Sequence, residues 1–228
     1  MNARGNRAAL TLLASIAFPI AAAAQSPRAD RDPRAGSWEI AAALLWTGGY
    51  NAGSAAALET RNPSTRSTPL TLFTTDSRLR GAPGVESRLG VYLGRRVSME
   101  GVLEFSRPVL RSHLGGDFES AAPTDADATV TSYVVGGSAL YHFGNGRLHP
   151  FVEGGVGYLR QLLEDHDGLI TGAEFHAGAG LKYRLTHGAH PFALRLDGVA
   201  SSRSRSVAFD QKRRVVPELA AGLSWRVF

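Results

Sequence analysis

Residues 173–184 read AEFHAGAGLKYR. Ala173, Phe175, Ala177, Ala179, Leu181 and Tyr183 make one set, and Glu174, His176, Lys182 and Arg184 fall between them. Successive side chains of a strand point to opposite sides, so this stretch has one apolar and one charged face. The same period recurs elsewhere. Trp38, Ile40, Ala42, Leu44 and Trp46 form an apolar set flanked by Glu39 and Thr47. Val97, Met99, Gly101, Leu103 and Phe105 stand opposite Ser98, Glu100, Glu104 and Ser106. Phe192, Leu194 and Leu196 stand opposite Arg195 and Asp197.

Extended along the chain, this pattern predicts eight strands, near 37–48, 85–94, 97–107, 129–143, 148–163, 169–185, 192–203 and 213–228. The links between them alternate strictly. Those at 95–96, 144–147 and 186–191 are short, those at 49–84 and 108–128 long, and those at 164–168 and 204–212 intermediate. A soluble sandwich has no reason for this alternation. An up-and-down barrel with periplasmic turns and external loops does. The expected fold is therefore all-β, an eight-stranded antiparallel transmembrane barrel. One stretch stands apart: residues 69–75 (PLTLFTT) read either as a strand extension above the membrane or as part of an extra hairpin, which would make ten strands.

Aromatic spacing fits a bilayer. Trp38 and Trp46, Tyr133 and Tyr141, and Phe175 and Tyr183 are each eight residues apart on one face. At about 3.3 Å per residue and a tilt of about 40°, that spacing rises roughly 20 Å, near the ~25 Å between the two aromatic girdles of an outer-membrane barrel. Trp38, Tyr141, Phe143, Tyr183, Phe192 and Trp225 all fall at the short-link ends of their strands.

The first residues read as an address. Arg4 and Arg7 precede an apolar stretch at 8–20, and Ala22, Ala23 and Ala24 offer a cleavage site before Gln25. That is the pattern of a signal peptide over residues 1–24. The stretch is too short for the ~17–25 residues of a spanning helix. Residues 25–36, rich in Pro, Arg and Asp, read as a flexible periplasmic tail ahead of a barrel at 37–228. The chain has no cysteine, which removes disulfides, thiolate metal sites and a lipid anchor on cysteine. Its formal charge of +5 is too mild for a nucleic-acid partner.

The sequence ends Gly222-Leu223-Ser224-Trp225-Arg226-Val227-Phe228. With the alternation and the aromatic belts, this ending resembles the small outer-membrane β-barrels of OmpA/OmpX type, whose last strand finishes in Phe. The resemblance implies an outer-membrane location, lipid and lipopolysaccharide as surroundings, and periplasmic chaperones and the barrel-assembly machinery as partners in biogenesis. Phe228 would be the assembly signal. Arg226 departs from the family, which usually has an apolar or aromatic residue there, and Phe228 is out of phase with Trp225 and Leu223.

The inward face is charged. Glu100, Glu104, Glu153, Glu174, Lys182, Arg184, Arg195, Asp197 and Glu218 are expected to form a lumen network, with Glu39, Glu86, Arg88 and Arg226 in the same phase. An eight-stranded barrel is only wide enough for side chains to fill it, so these charges should pair across the interior. Arg203, Arg205, Lys212, Arg213 and Arg214 are expected to form a rim facing lipopolysaccharide phosphates. Asp165-His166-Asp167 could hold a divalent ion or act as an acid–base pair, although such loop clusters are usually solvated turns. No cofactor, metal or catalytic set is expected. The favoured role is structural or surface-interacting with a filled lumen, ahead of a narrow pore and a lipid-modifying enzyme.

Overall fold

The alternating stretches pair with one another in a ring. The computed structural model describes residues 33–58, 71–117, 119, 121–144, 146–164, 168–186, 190–208 and 212–227. Among them it has eleven strands: β1 (Trp38–Thr47), β2 (Tyr50–Leu58), β3 (Thr71–Leu79), β4 (Ala82–Tyr92), β5 (Val97–Ser106), β6 (Val109–Gly115), β7 (Thr124–His142), β8 (Leu148–Leu163), β9 (Leu169–Arg184), β10 (Phe192–Arg203) and β11 (Arg214–Arg226).

Eight of these close an antiparallel barrel in the order β1-β11-β10-β9-β8-β7-β5-β4, with β4 returning to β1 and β7 bonded to β8. The register joins the two ends of the chain: Glu39 pairs with Arg226 and Thr47 with Glu218. Period-two side chains then sort between lipid and lumen. Leu44 is 74% exposed on the outside, whereas its neighbour Leu45 is 4% exposed inside. Val85, Leu89, Met99, Leu103, Val135, Val156 and Leu219 share the outer face and are all more than half exposed or close to it. An apolar belt of that extent has no place in water.

β2, β3 and β6 lie outside the ring. They pair in the order β2-β3-β6-β7, using residues 124–129 of β7, and so form a four-stranded blade. Each continues a ring strand across a two-residue break: β1 into β2 at Gly48-Gly49, β3 into β4 at Arg80-Gly81, β5 into β6 at Arg107-Pro108. Space explains the glycines at the first break. A Cβ at Gly48 would stand 2.7 Å from the Pro217 ring, and one at Gly49 would stand 2.4 Å from the Leu79 carbonyl oxygen. The stretch at 69–75 is thereby settled for its described part: Thr71 to Thr75 belong to β3, an extension beyond the ring, and the ring has eight strands. Among the described residues, the long links at 49–84 and 108–128 are thus largely strand.

At the blade end an apolar cluster lies across the ring mouth. Tyr50, Leu79, Leu110, Val130, Val207 and Val216 are buried together, with Leu163 and Ile170 packed against them. Val207, in the link between β10 and β11, is fixed from both sides. Its carbonyl accepts from the Tyr50 hydroxyl at 3.1 Å, and its N–H donates to Gln161 Oε1 at 2.8 Å.

Candidate functional site in the lumen

Inward positions on β1, β4, β5, β8, β9 and β10 bring three cations among five carboxylates halfway along the barrel. Arg195 Nη1 donates to both oxygens of Glu100, at 2.9 and 2.8 Å, and Arg195 Nε donates to Asp197 at 2.8 Å. Arg88 donates to Glu153 at 2.6 Å and through Nη2 to Glu86 at 3.1 Å. Lys182 bonds Glu39 and reaches Glu100 at 3.3 Å, and the Tyr92 hydroxyl donates to Glu39 at 3.1 Å. Every one of these charged side chains is nine-tenths buried or more. Small residues make the room: a Cβ at Gly180 would lie 2.3 Å from the Phe151 ring and 2.6 Å from Asp197 Oδ1.

A second tier lies toward the blade. Arg203 bonds Glu174 at 2.7 Å and also Glu218, and stands 4.0 Å from Glu104 across the lumen. Ser201 donates to Glu218 at 2.6 Å, and His176 lies between Ser138, at 2.8 Å, and Glu174, at 3.7 Å. One oxygen from each of Glu104, Glu174 and Glu218 falls within 4.8 Å of the others. Three carboxylates thus converge on one guanidinium. The arrangement ties β5, β9, β10 and β11 together at this height.

Residues 10–197 match the family described as outer membrane protein beta-barrel domain. The chain belongs to this family. Family membership sets the barrel in the outer membrane, where short turns face the periplasm. Among solved structures, this outer-membrane barrel is similar to OprG from Pseudomonas aeruginosa, at 12% identity over 86% of this chain and 97% of that one, with a TM-score of 0.52. It is also similar to Ail, the attachment invasion locus protein of Yersinia pestis, at 11% identity over 85% and 99% of the two chains, TM-score 0.44. Neisserial surface protein A gives 14% identity over 83% and 96%, TM-score 0.40. No curated protein sequence matches the chain.

The residues singled out in the barrel's sequence fall as follows. Glu100, Glu153, Lys182, Arg195 and Asp197 meet in the middle tier, and Glu104, Glu174 and Glu218 in the outer one. Arg184 Nη2 lies 3.0 Å from His149 Nε2 at the periplasmic mouth. Trp38, Trp46, Tyr133, Tyr141, Phe175, Tyr183 and Phe192 stand on the outer face, and Phe192 stacks on Trp225 with centroids 5.8 Å apart.

One expected rim residue is elsewhere. Arg203 is 2% exposed inside the lumen and does not face lipopolysaccharide, because it continues the inward phase of Arg195, Asp197 and Ser201. Arg205, Lys212 and Arg213 are exposed, Arg214 is half-buried, and the Arg213 guanidinium lies 5.7 Å from the Phe175 ring centroid. Phe228, the cluster at 165–167 and the segment 1–32 lie outside the described residues.

Sequence reading missed the apolar cluster at the outer mouth. Tyr50, Leu110 and Val207 sit in stretches read as loop, and no period marks them.

Proposed function

We propose that this protein is a surface-interaction barrel whose lumen carries no solute and whose wall supports the blade outside the membrane. The pairing of Arg195 with Glu100 carries this reading. β5 and β10 stand four places apart in the ring, the greatest separation that eight strands allow, so this ion pair crosses the full bore. The apolar cluster around Val207 supports it at the outer mouth. Beyond the mouth, the blade offers the edge of β2, whose nine residues carry no charge. Uncharged edges invite added strands. We further propose that residues 1–24 direct export with cleavage after Ala24, that Phe228 serves assembly, and that Arg205, Lys212, Arg213 and Arg214 meet lipopolysaccharide phosphates.

Planar-bilayer recording of refolded protein tests the lumen reading. Wild type should give no steady unitary conductance. Well-resolved conductance whose ion selectivity changes in Glu104→Ala or Arg195→Ala would replace it with a narrow pore.

A further inference from the structure

Where the ring meets the blade, the outer face carries an open groove of about 580 Å³. Trp46 and Pro217 border it from the ring, and Arg78, Arg80 and Arg111 line it from the blade side. Alternation explains why the arginines are there. Leu79 and Leu110 point into the apolar cluster at the mouth, so their neighbours Arg78 and Arg111 point the opposite way, to the exposed face. Trp46 is fixed beside them: a Cβ at Gly81, next to Arg80, would stand 3.2 Å from its ring.

Arg78 on β3 and Arg111 on β6 are directly opposite in register. Like charges so placed work against strand pairing. Asp127 on β7, opposite Arg111 in turn, accepts from Arg111 Nε at 2.9 Å and from Nη2 at 3.0 Å. That bond holds the Asp127 carboxyl below its ordinary range, and the charge of Arg80 adds to the effect. Among the described residues, the side chains of Arg78 and Arg80 make no hydrogen bond or ion pair. The row thus ends in two guanidiniums with a fork each to offer, a geometry suited to phosphate.

The other wall says what carries the phosphate. Trp46 continues the apolar belt of Leu44, Val85 and Leu219 that faces lipid. A soluble anion has no use for that wall, whereas an amphiphile meets both halves of the groove. The blade lies at the long-link end, away from the periplasm, and so beside the outer leaflet. We propose that this groove binds a phosphorylated glycolipid of the outer leaflet, with its phosphate on Arg78 and Arg80 and its apolar body along Trp46. The site shares no residue with the basic rim assigned above, and it depends neither on that rim nor on a closed lumen.

The full refolded barrel in dodecyl maltoside is mixed with diphosphoryl lipid A, and native mass spectrometry reads the fraction of barrel that keeps a lipid. Arg205→Gln/Arg213→Gln is introduced first, so that lipid held by the rim is not counted. In that background retention should persist. It should fall at least about tenfold on adding Arg78→Gln/Arg80→Gln, and fall also with rising ionic strength. Lipid A stripped of its phosphates should be kept no better than diphosphoryl lipid A is by the barrel lacking all four arginines. Arg78→Gln alone, one exposed change, should lower retention too, and keeps the test open if the paired change disturbs folding. The proposal is overturned by loss of retention on neutralising the rim alone, or by equal retention with and without Arg78 and Arg80 at normal heat-modified mobility. Equal retention of the phosphorylated and stripped lipids also overturns it. So does saturable calorimetric binding of glycerol 1-phosphate without retention of lipid A, which would make the groove a site for a soluble anion.

Discussion

Arg195 Nη1 on β10 donates to both oxygens of Glu100 on β5, at 2.9 and 2.8 Å, from one wall of the barrel to the wall facing it. Lys182 and Arg88 approach the same carboxylate at 3.3 and 3.4 Å. Glu100 is thus the acceptor at the centre of the middle tier, and its loss would leave three cations short of a partner at once.

Arg195→Ala should lower the temperature of the heat-modified mobility shift markedly. Removing one partner of a buried pair costs about 3–5 kcal/mol when the site is dry, and less where water enters. Replacing Arg195 and Glu100 together by Met should cost less than the sum of the two single changes, because these two charges leave together while Asp197 and Lys182 each still lose a partner. Losses that simply add would show that the two residues act independently and not as a pair.

Arg203 and Arg213 separate lumen from rim. Arg203→Ala strands Glu174 and Glu218 and should destabilise the barrel on the same scale of about 3–5 kcal/mol. Arg213→Ala, on the outer surface beside Phe175, should change stability by under about 1 kcal/mol. Thermal mobility shifts of the two variants measured side by side check this contrast, which equal losses would contradict.

Tyr50 gives the outer mouth an alkaline limit. Burial pushes its hydroxyl above the usual tyrosine range, and the hydroxyl must keep its proton to donate to the Val207 carbonyl. The unfolded chain ionises first, near pH 10, so this contribution is whole below that pH and is lost as pH rises through the folded value. Protease susceptibility of the 204–212 link should therefore rise above about pH 10. In Tyr50→Phe it should be raised already at neutral pH, with a flatter alkaline response.

Gly49→Ala tests the joint between ring and blade. The added Cβ would meet the Leu79 carbonyl, a backbone atom that cannot swing aside. A cost of about 1–3 kcal/mol is expected. It should appear as faster amide exchange in β2 and β3, with exchange in β9 and β10 unchanged. Uniform loosening of the whole barrel would count against a separate joint.

The ring strands were legible because each has lipid on one side and lumen on the other, which writes period two into Trp38 to Trp46 and into residues 173–184. The blade was not. β2 and β6 meet water on both faces over much of their length, so YNAGSAAAL and VLRSHLG carry no alternation. Asn51 and Gly53 also sit at a register shift, which breaks any period there. Arg203 was legible in principle, since it shares the odd phase of Arg195 and Asp197, but its charge near a strand end suggested a loop. Val207 had no signal at all: its burial comes from Tyr50 and Gln161, 157 and 46 residues away.

That the first ring strand pairs with the last sets an order of events. Lys182 and Glu39 are 143 residues apart in sequence, and Arg195 and Glu100 are 95 apart. These pairs span the bore, and the meeting of β1 with β11 completes the wall that buries them. Before it, β1 and β11 are two open edges, and an open edge in hydrocarbon costs several kcal/mol for each unsatisfied backbone group. Folding of this chain should therefore be slow and topology-limited, with membrane entry and ring closure as one kinetic event.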